Sequence, residues 1–208
     1  MSNTRGAGAL FDACAPALFV ILWSSGFIGA KLGVGSAEPF TVLLLRFSVV
    51  LVVMLPLALL LRVEWPRNKT EIAHIAAAGL MIQGGYLGGC FSAVYHGMPA
   101  GMIALITGLQ PILTAFAAAP MLGERVTRLQ WLGLALGFGG VAMVVWQKIN
   151  LHGMDMISIA WALEALVAIT IGTLYQKRYC PSFDLRAGSV IQFVAAFTIM
   201  LPLALASE

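Results

Sequence analysis

The chain has 208 residues, of which 60% are hydrophobic and only 10% charged. A soluble domain would carry about 25% charged residues, so that class is excluded. The formal charge of +3 is too small to mark a nucleic-acid binder. Leu, Ala, Gly and Met dominate, and no period-two alternation appears, which argues against a β-barrel. An all-α integral membrane protein is expected, because helices satisfy their own backbone groups in lipid.

Seven stretches approach the roughly 20 apolar residues that a crossing needs. They are 13–35, 39–61, 72–95, 99–122, 129–147, 156–175 and 187–206. The first lacks a cleavage box and is too long for a signal-peptide core, so it stays as an anchor. It carries Trp23, Ser24, Ser25 and Gly26 at its middle. Trp23 lies too deep for an interface belt. This polar, indented stretch either faces a central cavity or receives a neighbouring helix. Lys31 near the outer end reads as a snorkelled lysine, with Glu38 just beyond.

The second stretch holds Arg46 about 10 Å from its entry end. A charge at a helix centre costs roughly 2.5–3.5 kcal/mol on insertion scales, less if the side chain snorkels. Arg46 is therefore a candidate for function or for an internal ion pair. The third stretch offers Gln83 and Tyr86 as weaker candidates, with Tyr95 an interface anchor. In the fourth, Gln110 and Pro111 break the helix at its middle, because proline lacks an N–H and clashes with the carbonyl of Thr107. The freed carbonyl and the Gln110 amide offer polar groups at the depth where transporters place substrate. The fifth carries Gly133 and Gly137, a helix-packing face like those of Gly29 with Gly33, Gly84 with Gly88 and Gly85 with Gly89. The sixth carries Glu164 about 12 Å deep. An acid there needs a proton, a cation or water. Its depth matches Arg46, so the two are expected to pair, or Glu164 to titrate during proton-coupled transport.

Sorted by loop, the basic residues are strongly biased. Arg5, Arg62, Arg67, Lys69, Arg125, Arg128, Lys177, Arg178 and Arg186 lie at the N-terminus or in every second loop. The opposite side holds Lys148, with Lys31 near a helix end. The positive-inside rule places the N-terminus in the cytoplasm. Cys14, Cys90 and Cys180, like His74, His96 and His152, lack metal-ligand spacing, so no metal or cofactor is expected. No phosphate-binding GxxxxGK[ST] loop is present, so ATP is not the expected driver.

The chain also repeats itself. One fixed offset carries Gly26 onto Gly172, Lys31 onto Lys177, Glu38 onto Asp184 and Phe47 onto Phe193. The same offset lays Met54-Leu55-Pro56-Leu57-Ala58-Leu59 on Met200-Leu201-Pro202-Leu203-Ala204-Leu205. Five crossings separate the copies, an odd number, so the second enters from the opposite side. Such inverted repeats build alternating-access transporters. A second copy of equal length would end at about residue 293. The chain is therefore expected to be a fragment of a ten-helix protein or a truncated product. A second copy of the chain is one way to complete a five-plus-two bundle, as a homodimer.

The segments LFVILWSSGFIGAKLG, PFTVLLLRF, AGMIALITGLQPILTA and LGERVTRLQWLGLALGFGGVAMVV resemble the first repeat of an EamA-type transporter of the drug/metabolite transporter superfamily. The resemblance implies residues 1–147 as the first repeat and 148–208 as the start of the second. It also implies a lipid-embedded bundle in the plasma membrane and outward movement of small metabolites. An arginine is often found in the family's second helix, as Arg46 is here, and its repeat equivalent is Gln192. Glu124 and Arg125 in the LGER turn resemble a family hallmark and read as helix-end features. A membrane enzyme would need paired acids or a nucleophile with its base, and the sparse polar residues assemble neither. A non-transporting scaffold or regulator is the reading that a genuine truncation would favour.

Overall fold

The computed structural model describes residues 4–123, 127–148 and 155–207; Glu124 and Arg125 lie outside them. Among the described residues the regular structure is helical throughout. The helices are α1 (Thr4–Val34), α2 (Pro39–Leu60), α3 (Lys69–Gly79), α4 (Tyr86–Tyr95), α5 (Ala100–Thr107), α6 (Gln110–Leu122), α7 (Arg128–Lys148), α8 (Met156–Tyr179) and α9 (Leu185–Ser207). A π-helical turn, Leu80–Gly85, joins α3 to α4 in one rod. Among the described residues five rods are long and apolar enough to cross a bilayer: Pro39–Leu60, Lys69–Tyr95, Ala100–Ala118, Met156–Tyr179 and Leu185–Ser207. The other two expected crossings, 13–35 and 129–147, fall on α1 and α7.

Burial follows the logic of a bundle in lipid. Val49, Val52 and Leu60 of α2 are exposed although fully apolar. Lipid tails are as apolar as leucine, so such faces cost nothing there. The interior is built from small and aromatic side chains, including Ala30, Leu43, Phe47, Cys90, Phe91, Ala162, Ala165 and Ala196. Small residues let the backbones approach closely.

α2 and α9, which the repeat makes equivalent, pack against each other. Phe47 meets its own equivalent Phe193 edge to face, ring centroids 5.6 Å apart. Ala58 and Val63 at the far end of α2 cluster with Ala187 and Val190 at the start of α9, so the helices run antiparallel. Pro56 and Pro202 sit in the last turns of these helices, again at equivalent positions.

Helix ends are closed by local polar contacts. The Asn68 side chain accepts the Thr70 N–H at 2.9 Å and starts α3. Glu38, ahead of α2, accepts the Tyr95 hydroxyl at 2.6 Å, so Tyr95 anchors one rod to the cap of another. Its repeat equivalent Asp184 accepts the Arg186 backbone N–H and, from the guanidinium, the Nε and Nη2 N–H groups. Those guanidinium bonds, against a smaller opposing push from burial, hold the Asp184 carboxyl down at about 2. A carboxyl that titrates lower folded than unfolded stabilises fully above the ordinary range near pH 4 and loses this as pH falls through about 2. Asp184→Asn is therefore expected to melt below wild type at about pH 5–7, with the two curves converging toward pH 2. A gap that persists unchanged at low pH would show that Asp184 acts through packing instead.

Candidate functional site

The helix break expected at Pro111 is present. α5 ends at Thr107, and Gly108 and Leu109 form a turn before α6 opens at Gln110. The Thr107 hydroxyl donates back to the Ile103 carbonyl at 2.8 Å, within its own helix. The rod across from it is also irregular. Gln83 lies in the π-helical turn. π-turns of this kind gather at functional sites.

Between these irregular segments lie two adjoining cavities. The larger, about 880 Å³, is lined by Trp23 and Ser24 of α1, Tyr86 of α4, Thr107, Gln110 and Pro111 at the break, Thr173 and Gln176 of α8, and Gln192 of α9. The smaller, about 300 Å³, is lined by Gly26 and Ala30 of α1, Arg46 of α2, Gln83, Tyr86 and Cys90. Trp23, Phe27, Ile82, Tyr86 and Ile169 line both. The Trp23 and Tyr86 rings stack at 6.0 Å, 15° from parallel, so this pair forms part of the partition. The Tyr86 hydroxyl lies beside Cys90 and Thr107.

Polar groups in the larger cavity are tied in pairs. The Gln110 amide donates to Thr173 Oγ1 at 3.4 Å. The Gln192 amide donates to Gln176 Oε1 at 2.8 Å. A volume of several hundred Å³, apolar walls and a few convergent polar groups are the usual attributes of a small-molecule site.

Seven residues singled out from sequence line these cavities: Trp23, Ser24, Arg46, Gln83, Tyr86, Gln110 and Pro111. Glu164 does not. It projects from α8 onto α4, where its carboxyl lies against Gly85 and Gly89. No ion pair joins it to Arg46 among the described residues. Equal depth does not fix azimuth, so matched depth alone does not make a pair. Thr107, whose freed carbonyl the sequence pointed to, also lines the larger cavity; Thr173 and Gln176 were not anticipated. The signal available was the spacing of Thr173 and Gln176, three residues apart on one face of an otherwise apolar helix. Of the small-residue pairs, Gly85 and Gly89 take α8 in close contact, whereas nothing lies within 4 Å of an added methyl at Gly29, Gly133 or Gly137.

Residues 12–146 match the EamA-like transporter family. Across 161 residues the chain is 28% identical to the "Probable amino-acid metabolite efflux pump" of Salmonella typhimurium, covering 77% of this chain and 52% of that protein. It is 25% identical over 201 residues to the "Uncharacterized inner membrane transporter YedA" of Escherichia coli, covering 97% of this chain and 62% of the relative. It is 29% identical over 127 residues to the "Probable terminal-alkyne amino-acid exporter" of Streptantibioticus cattleyicolor, covering 61% and 42%. The chain thus spans about half the length of the first of these relatives. No solved structure gives a significant match. With a family match over most of its length, and a helical bundle whose broken rods enclose a polar-lined cavity, the chain belongs to the EamA-like transporter family.

Proposed function

We propose that the protein is a secondary transporter that moves small polar or amphipathic metabolites outward across the bacterial inner membrane by alternating access. The observation that carries this reading is the pair of adjoining cavities at the helix break, divided in part by the Trp23–Tyr86 stack. A partition between two chambers is what a gate requires. Ser24, Gln83 and Gln110 supply hydrogen bonds to a passing solute, and the break at Pro111 keeps the Gln110 amide at the cavity wall. Phe47 against Phe193 supports the inverted repeat, because a two-fold axis in the membrane plane would pass between these equivalent rings. The basic residues on alternate loops support a cytoplasmic N-terminus. The names of the relatives point to amino-acid metabolites as the first solutes to try.

The test is flux through the complete natural chain in proteoliposomes, with radiolabelled amino acids and their amphipathic derivatives. Saturable flux is expected. Gly101 lines the larger cavity and has nothing within 4 Å of an added methyl. Gly101→Trp is therefore expected to leave the fold intact, fill the cavity and cut flux by at least about 10-fold. Saturable flux that survives this plug would place the path elsewhere, and no saturable flux from wild type would overturn the transporter reading.

A further inference from the structure

The repeat supplies an internal comparison between the two cavities. The offset that lays Arg46 on Gln192 also lays Ala30 on Gln176. In the second copy the two equivalents are hydrogen-bonded, Gln192 donating to Gln176 at 2.8 Å. That pair satisfies itself and is neutral. In the first copy the donor has become a guanidinium, and its partner has become Ala30, buried at 2% exposure. A methyl group accepts nothing. Arg46 and Ala30 both line the smaller cavity.

Arg46 brings five N–H donors and a permanent charge into that cavity. Its guanidinium is within electrostatic reach of the Tyr86 hydroxyl. No carboxylate pairs with it among the described residues, where the ion pair found is that of Arg186 with Asp184. No Asp or Glu lines either cavity among those residues. An unpaired cation at this depth is costly, and such residues normally face a partner, water or a solute pathway. A planar guanidinium is matched by a planar carboxylate, which takes two parallel N–H bonds. The wall beside it is aromatic, from Trp23 and Tyr86.

We infer that Arg46, facing Ala30 across the smaller cavity, anchors the carboxylate of an amphipathic substrate whose apolar body lies on the Trp23 and Tyr86 rings. This rests on the transporter reading and sharpens it. It also sets what the site ignores. With no acidic side chain lining either wall, the carboxylate is the charged group the site selects, so the substrate class is amphipathic carboxylates whether or not they carry an amine.

The experiment is equilibrium binding to the purified complete chain in detergent, with matched aromatic and aliphatic probes. The aromatic set is phenylalanine, 3-phenylpropanoate and phenylalaninamide; the aliphatic set is leucine, 4-methylpentanoate and leucinamide. In each set the two carboxylates are expected to bind within about 3-fold of each other, and the carboxamide about 10- to 100-fold more weakly, the loss expected for a charge-assisted pair. Arg46→Gln installs the residue that the second copy already carries at this position, and is expected to erase the preference. Arg46→Lys keeps the charge without the fork, and is expected to retain part of it. Carboxamides that bind wild type as tightly as carboxylates, or wild type that binds no carboxylate, would overturn the anchor without any variant. So would an amine requirement, or an Arg46→Gln protein that keeps the preference. Carboxylate binding without flux would instead sink the transporter reading and leave the anchor standing.

Discussion

Gly79→Val is expected to cost the protein its fold, and Gly79→Ala to weaken it by about 1–3 kcal/mol, the range for overpacking a filled interior. Gly79 ends α3 where it crosses α9. A methyl added there would stand 2.5 Å from Gln192 Cα and 2.6 Å from Gln192 Cβ. The first of these is backbone, so no rotamer change relieves it. The helices must separate, and the strain falls on the residue whose amide bonds Gln176 in the larger cavity. Gly79→Ala is thus expected to lower the melting temperature in detergent and also to weaken solute binding in whatever folded protein remains. Gly26→Ala is the control, since nothing lies within 4 Å of a methyl there. Equal melting temperatures for the two alanine variants would show that the α3–α9 crossing yields more easily than its distances suggest.

That control also shows what the repeat does and does not carry. Gly26 and Gly172 are equivalent in sequence, yet Gly26 opens onto the smaller cavity and Gly172 would press a methyl to 2.7 Å from Ile82 Cγ1. Glu38 and Asp184 both precede a helix, but one takes the Tyr95 hydroxyl and the other an arginine. Apolar runs of the right length were enough to locate the rods, and Pro111 was enough to locate the break, because both are consequences of local backbone chemistry. Cavity lining is a matter of helix rotation and crossing, which depend on distant partners. Hence Gln110, beside its proline, could be read from sequence, while nothing local beyond their spacing marks Thr173 and Gln176 as cavity-facing. The π-helical turn was invisible for a related reason: nothing in Leu80–Gly85 distinguishes a wide turn from an ordinary one until α8 and α9 are packed against it.

If the proposed transport is proton-coupled, Glu164→Gln is expected to abolish that proton dependence, reducing flux driven by an imposed pH gradient by at least about 10-fold while leaving solute exchange intact. The geometry gives the motive. The carboxyl sits about 12 Å into its helix. One oxygen lies 3.1 Å from where a side chain on Gly85 would begin, and the other lies against Gly89. Gly85 closes the π-helical turn that carries Gln83 to the smaller cavity, and Gly89 lies one turn into α4. A neutral carboxyl can rest on that bare backbone, whereas a carboxylate calls for water or a cation, and admitting either requires α4 to move from α8. Proton exchange at Glu164 would then work the rod that bears Tyr86, half of the Trp23–Tyr86 stack. Glutamine keeps the shape and cannot exchange the proton, so the pH profile of flux should flatten with little loss of melting temperature. Gly89→Ala supplies the converse, since its methyl would also crowd the Trp161 carbonyl at 2.7 Å and Ala165 Cβ at 2.9 Å, pushing α4 and α8 apart by sterics alone. A Glu164→Gln protein with the pH profile of wild type would reduce Glu164 to a packing residue on a glycine face.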